Sequence, residues 1–301
     1  KADWGAGTAS FFNRRKNLEN ASGFINLNKP SGISSAAAVA RVKRITHIAC
    51  GHMGTLDPLA CGVLPVAVGN ASRLFGYLLN KEKIYRAVFR FGEETDTLDS
   101  TGTLLRTGLP VPSAEEIEGV LSSFLGEIDQ LPPAYSAKSV GGVRAYRLAR
   151  EGKQVEMAPR KVRINSLHLI VQKSGSEYEF LVSCGGGTYI RSLGRDIAGR
   201  CGTVAVMTSL VREKSGFFTL GESVSPEDLT EENWQAHLIP PELVFDLHSL
   251  DFDGKDAWRL RNGQHIPFEG ENGEYKLFLD DELYGIALAE NGNIRAKVKL
   301  V

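Results

Sequence analysis

An α+β fold is what three features of the 301-residue sequence predict: a mixed, mainly antiparallel sheet flanked by helices, with a small β-rich module at the C-terminus. First, Lys83–Gly92 alternates apolar and polar residues as a half-buried strand does. Second, Arg163–Lys173 and Glu177–Cys184 read as an antiparallel pair turning at Gly175. Third, the helical signals fall outside any βαβ unit: neither GxGxxG nor GxxxxGK[ST] occurs, which removes the nucleotide-binding α/β classes.

In chain order, residues 1–21 carry no periodicity and read as a flexible tail. Phe24–Leu27 is a short strand ending in the turn Asn28–Gly32. Ser34 or Ser35 caps a helix from Ala36 to about Thr46, with Val39, Val42 and Ile45 inward and Arg41, Lys43 and Arg44 outward. Gly51–Pro65 reads as a loop, because its glycines and prolines oppose a helix or a central strand. Val66–Val68 is a strand and Ala71–Leu79 a helix. The strand Lys83–Gly92 should present a wet, basic face. Ser113 with Glu116 forms a capping box for a helix whose apolar face is Ile117, Val120, Leu121 and Phe124. Leu131–Lys138 is extended around its prolines, and Arg144–Glu151 reads as a short basic helix. Gly185–Gly187 feed a helix from Tyr189 to Arg200, an N-terminus suited to an anion. Val204–Val211 is a strand. Helices are expected near Pro226–Trp234 and Pro241–Leu247. Strands at Tyr275–Leu279, Leu283–Ala289 and Ile294–Leu300, with a hairpin turn at Asn291–Gly292, form the terminal module.

At 42% hydrophobic and 24% charged residues, the composition is that of an ordinary soluble domain, and no apolar run reaches the ~18 residues of a membrane helix. Cys50, Cys61, Cys184 and Cys201 include no C-x-x-C pair, so neither a metal site nor a disulfide frame is expected, and a cytoplasmic setting is the simplest. The net charge of −1 hides an uneven distribution. Tyr135–Arg163 has eight bases against two acids, and Gly221–Asp256 has ten acids against one lysine. Such a basic stripe is what phosphates require, though a solvated face would read the same.

Asp57 is the only carboxylate between Glu19 and Glu82. Leu56, Leu59, Val63 and Leu64 surround it, so its loop should pack onto the core. A single acid held on an irregular, apolar loop suits a nucleophile; an Asp-Pro pair that merely shapes a turn would look alike.

Gly51-His52-Met53-Gly54-Thr55-Leu56-Asp57-Pro58-Leu59-Ala60-Cys61-Gly62-Val63-Leu64-Pro65 resembles the active-site loop of the bacterial TruB family of tRNA pseudouridine synthases. Asn28–Gly32, Lys83–Ala87, Pro133–Lys138, Gly187–Leu193 and Leu210–Gly216 are similar to further family segments, in order. Leu260–Gln264 resembles, more weakly, the opening of a PUA domain. Departures are the long tail, Met53, and the Gly185–Gly186 pair. The resemblance implies a pseudouridine-synthase-like domain over 22–248 and a PUA-like RNA-binding domain over 249–301. It implies isomerisation of uridine 55 in the T-loop of tRNA, without cofactor, metal, membrane or required protein partner.

Within that resemblance Asp57 is the nucleophile, attacking either C6 of the base or C1′ of the ribose. Arg191 is the guanidinium that keeps a desolvated carboxylate ionised. Tyr85 stacks on the flipped base and is a candidate for taking the C5 proton. His52, Tyr189 and Leu210 contact the substrate nucleotide, and Lys29, Lys138, Arg144 and Arg147 hold RNA phosphates, the acceptor end reaching the C-terminal module. Two other classes stay open: a non-catalytic tRNA-binding or chaperone protein, and a glycoside or nucleoside hydrolase, which usually enlists a second carboxylate as acid.

Overall fold

Local signals set most of the strands. The computed structural model describes residues 21–79, 81–135, 139–140, 143–144 and 157–300, the two short pairs by backbone alone. The elements that carry the architecture are β1 (Gly23–Lys29), α1 (Ser35–Thr46), β2 (Cys50–His52), β3 (Cys61–Val68), α2 (Phe75–Leu79), β4 (Lys83–Phe91), α3 (Ala114–Leu121), β5 (Gly126–Gln130), β6 (Arg160–Gln172), β7 (Glu177–Cys184), α4 (Ile190–Arg200), β8 (Ala205–Ser215), β9 (Leu238–Ile239) and α5 (Pro241–Val244). The ten-stranded sheet runs β9-β1-β3-β8-β4-β7-β6-β5, with β2 on β3 and Phe218–Thr219 on β8. Only β3 and β8 run parallel within it; the expected mixed, mainly antiparallel sheet is present.

Strand alternation divides the packing between two faces. Ile25, Leu27, Leu64, Val66, Tyr85, Ala87, Phe89, Phe180 and Val182 face α1, α3 and α4 in one core. Phe24, Val63 and Ala67 face the other way, into a second core with Leu74, Leu78, Phe245, Ile286 and Leu300. Ser34 caps α1 by accepting from the Ala37 N–H, and the Ser113–Glu116 capping box opens α3 as expected.

The C-terminal module comprises β10 (Ser249–Phe252), α6 (Gly254–Arg261), β11 (Ile266–Pro267), β12 (Gly273–Leu279), β13 (Glu282–Glu290) and β14 (Asn293–Lys299). Its five strands run β10-β12-β13-β14-β11. Asn291 and Gly292 both have positive φ, 54° and 71°, the hairpin turn their sequence predicts.

The structure corrects several sequence expectations. The Gly51–Pro65 stretch is not loop throughout: Cys61–Pro65 belongs to β3, between β1 and β8. Pro65 is tolerated there because its carbonyl accepts from Met53 N–H on the edge away from β1, so its missing donor falls in the gap between β2 and β8. Gly62 adopts φ +98°, and a side chain there would meet the Arg212 carbonyl at 2.4 Å. Residues 69–74 form a 3₁₀ turn before the short α2, not one helix. β8 extends to Ser215 and α5 ends at Val244.

The Pro226–Trp234 helix is absent. Asn233 bonds the Asp228 carbonyl and the Thr230 N–H, holding turns that end in a 3₁₀ segment, Trp234–His237. The basic face of β4 is neutralised by acids: Arg86 pairs with Glu179 and Glu213, and Arg90 with Glu177 and Glu93. Val143–Arg144 pairs with Ser139–Val140 as a two-stranded hairpin, so the expected basic helix does not begin at Arg144. The Lys138 and Arg147 expectations, the Arg144 side chain and the tail 1–20 lie outside the described residues.

Candidate active site

Residues 53–60 link β2 to β3, and their backbone is tied down carbonyl by carbonyl. Arg212 on β8 donates to the Gly54 and Thr55 carbonyls at 3.1 and 3.5 Å, and to Val63 at 2.7 Å. Ser35, the first residue of α1, bonds both the carbonyl and the N–H of Leu56 at 2.8 Å. The Asp57 carbonyl accepts from Ala60 N–H, Pro58 from Gly32 N–H and Leu59 from the Ser31 hydroxyl. Six consecutive carbonyls thus have donors, an unusual degree of fixation for an irregular segment.

That backbone aims Asp57 at the N-terminus of α4. Arg191 Nε stands 2.9 Å from Asp57 Oδ2. The remaining Arg191 nitrogens donate to the Thr97 carbonyl at 2.8 Å and the Tyr135 carbonyl at 3.0 Å, with Asp99 Oδ2 3.7 Å away. Thr97 and Thr101 hold Asp99 in turn. The guanidinium is 6% exposed and the aspartate 33%, so the pair is dry on one side and open on the other. Gln130, fully buried, grips the backbone of Tyr189 from both sides, accepting from its N–H at 2.8 Å and donating to its carbonyl at 3.1 Å. This fixes the entry to α4.

Asp57, Tyr85, Tyr189, Arg191 and Leu210 all line one cavity of about 240 Å³, together with Lys83, Arg212 and the Gly187–Thr188 turn. Register explains the grouping: Tyr85 lies opposite Arg212, and Ala87 opposite Leu210, so these side chains share a sheet face. Burial raises the Tyr85 phenol above its ordinary range. A larger cavity of about 740 Å³ lies against Arg195, Asp196 and Arg200 on α4, away from this cluster.

Two of the candidates behave differently. His52 sits on β2 outside the cavity lining. Its Nδ1 is buried without a partner among the described residues, and burial, then Arg212, lowers its pKa. Lys29 is wholly buried, its ammonium donating to the carbonyls of Pro30, Ile33 and Pro58. It therefore reaches no phosphate; it fastens the β1–α1 turn to the Asp57 loop, and burial lowers its pKa. Arg212 and Gln130 were not singled out by sequence reasoning. Arg212 lay within a recognised segment, but only the fold shows that it clasps the loop. Among the described residues no cluster of His, Cys, Asp or Glu could hold a metal ion, and no helix is long and apolar enough to cross a membrane.

Residues 42–190 match the model of the TruB family pseudouridylate synthase N-terminal domain. The chain is 39% identical over 259 residues to the tRNA pseudouridine synthase B of Caulobacter sp. strain K31, covering 84% of each. It is 38% identical over 281 residues to that of Caldanaerobacter subterraneus, covering 91% of this chain and 98% of that one. With the Synechocystis enzyme of the same name it shares 44% over 252 residues, covering 81% and 85%. Among solved structures, a chain of a Cbf5–Nop10–Gar1 complex superposes with a TM-score of 0.70 at 25% identity, covering 95% of this chain and 87% of that one. A chain of the archaeal box H/ACA Nop10–Cbf5 complex superposes at 0.67 and 24% identity, covering 95% and 88%.

Proposed function

The chain belongs to the TruB family of pseudouridylate synthases, and on that premise we propose that it converts uridine 55 in the T-loop of tRNA to pseudouridine. It is an isomerase acting on tRNA uridine. The reaction breaks N1–C1′ and remakes the link at C5, with no redox change. The observation that carries the residue assignment is the 2.9 Å Asp57–Arg191 pair at the wall of a cavity that Tyr85 also lines.

Asp57 is the nucleophile. Arg191 holds its carboxylate in place and offsets the cost of its partial desolvation. Tyr85 stacks on the base, which must leave the helical stack to enter so narrow a cavity. Leu210 and Tyr189 shape the walls. His52, at the foot of the loop, meets the RNA rather than the reacting atoms. Lys161 and Arg163 on β6 belong to the basic stripe, and with Arg144, Arg147 and Lys138 they meet phosphates, so affinity falls with salt. Residues 249–301 act as a PUA-like module toward the acceptor end. The protein works without a protein partner or cofactor, and its substrate sets the cytoplasm as its place of action.

The test is tritium release from tRNA labelled at uridine C5, wild type beside Asp57→Asn. Release by wild type alone, with tRNA affinity of the variant within about tenfold, supports the reading. Release by both proteins removes Asp57 from the chemistry. Binding without release by either favours the non-catalytic tRNA-binding class, and free uracil among the products favours a hydrolase.

A further inference from the structure

The cavity that holds Asp57 carries more positive charge than its carboxylate can balance. Its lining includes three cations, Lys83, Arg191 and Arg212, and one acid. Arg191 is taken by Asp57. Lys83 and Arg212 are 5% and 1% exposed, and among the described residues neither forms an ion pair with a carboxylate. Cations desolvated without a counter-charge are costly, and a folded site retains them where some bound species supplies negative charge.

The two differ in what they have left to offer. Arg212 spends its guanidinium on the carbonyls of Val63, Thr55 and Gly54. Lys83 Nζ donates to the Leu79 and Lys81 carbonyls at 2.8 and 2.9 Å. An ammonium has three N–H donors, so one remains. Lys83 and Tyr85 are two residues apart on β4, and hence on one face of the sheet. At Gly54 an added Cβ would stand 3.7 Å from Arg212 and 3.9 Å from the Lys83 side chain, so both cations flank the start of the Asp57 loop.

Resting on the isomerase reading, we propose that Lys83 is a further catalytic residue, donating its free N–H to a carbonyl oxygen of the pyrimidine as negative charge develops there, with Arg212 supplying background charge. The electron count is the same for either point of attack. If Asp57 bonds C1′, the N1–C1′ bond breaks and its pair leaves on the uracil, delocalised over O2 and O4. If Asp57 bonds C6, the C5=C6 pair moves onto the C4 carbonyl. On the first route C5 bonds C1′ as the Asp57–C1′ bond breaks and its pair returns to the carboxylate, and the C5 proton then leaves to a base. On the second the N1–C1′ pair passes to N1 as C5 bonds C1′, and loss of the C5 proton to a base re-forms C5=C6 and expels Asp57. On both routes N1 ends by taking up a proton. In both routes the ring is anionic before the new bond forms, and a preplaced donor is worth most at that moment.

The experiment compares wild type, Lys83→Met and Lys83→Arg in single-turnover conversion of T-arm RNAs carrying one target uridine or one 5-fluorouridine, followed by loss of the N-linked nucleoside. RNA affinity and melting temperature are measured in parallel. Fluorine at C5 stabilises the ring anion, so a donor to that anion matters less. Lys83→Met should lose about 100-fold on uridine but under about tenfold on 5-fluorouridine, with affinity within a few-fold, and Lys83→Arg should recover most of the rate. Equal losses on both RNAs, or no loss at all, overturn the proposal and leave Lys83 as a prop for the Leu79 and Lys81 carbonyls. If wild type converts neither RNA, the isomerase reading itself falls.

Discussion

Arg191 reaches Asp57 with Nε alone, at 2.9 Å, while its other two nitrogens are spent on the carbonyls of Thr97 and Tyr135. The residue is therefore both the carboxylate's counter-charge and a bolt between α4 and two loops. A lysine supplies charge but no three-way fork. Arg191→Lys should lower kcat at least about 100-fold while tRNA affinity changes little, and Arg191→Ala should be nearly inactive. Single-turnover rates with a filter-binding isotherm check both halves.

Arg212, like Ser35, fastens the backbone of the Asp57 loop. Removing it strands the buried carbonyl of Val63 and the half-buried carbonyl of Gly54. Arg212→Gln should cost at least about 2 kcal/mol of folding free energy, read by urea denaturation. Turnover should fall more than affinity, because the loop that aims Asp57 loses its clasp.

Lys29 looked in the sequence like a phosphate contact and is instead saturated inside the protein. Lys29→Met should lower thermal stability yet leave the salt dependence of tRNA binding unchanged. A lost phosphate contact would flatten that slope by about one ion.

Burial, and then the neighbouring Arg212, lower the Lys83 ammonium from 10.5 to about 8. The Cys184 thiol, opposite Lys83 on β7, is pushed up from 9.0 to about 11, so it works against folding above pH 9, in wild type and variant alike. Below pH 8 the lysine is charged in folded and unfolded chains alike, and folding bears the cost of burying it. Between about 8 and 10.5 the folded chain has lost a proton from this lysine that the unfolded chain keeps, so the lysine's own contribution to stability rises with pH in that window. The gain is at most about 3 kcal/mol. Urea midpoints from pH 7.5 to 10.5 should climb for wild type relative to Lys83→Met.

Where a local rule decides, the sequence was readable. The Ser113 capping box, the alternation of β4 and the Asn291–Gly292 hairpin depend on neighbours a few residues away. Pro65 misled because its place in β3 depends on where β2 ends and β8 begins, a matter of register between distant segments. The Pro226–Trp234 stretch carried a helical pattern, but Asn233 diverts its hydrogen bonds. Asp57, Tyr85 and Arg191 were legible through motifs and do meet at one cavity. Gln130 and Arg212 act on backbone atoms 59 and more than 140 residues away, and no spacing rule signals such contacts.

Met53, where the Asp57 loop begins, is buried in the same core as Phe24, Phe245, Ile286 and Leu300. Tyr77 and Lys297 both meet Glu274, and Arg73 bonds the Lys299 carbonyl at 2.6 Å across the same seam. The C-terminal module is thus joined to the floor of the active-site loop by dry apolar packing. Such a seam makes the protein one cooperative unit: melting either side exposes the other's interior. Trp234, buried beside the large sheet, and Trp258, on the exposed side of α6, would each report the same midpoint when kept as the sole tryptophan.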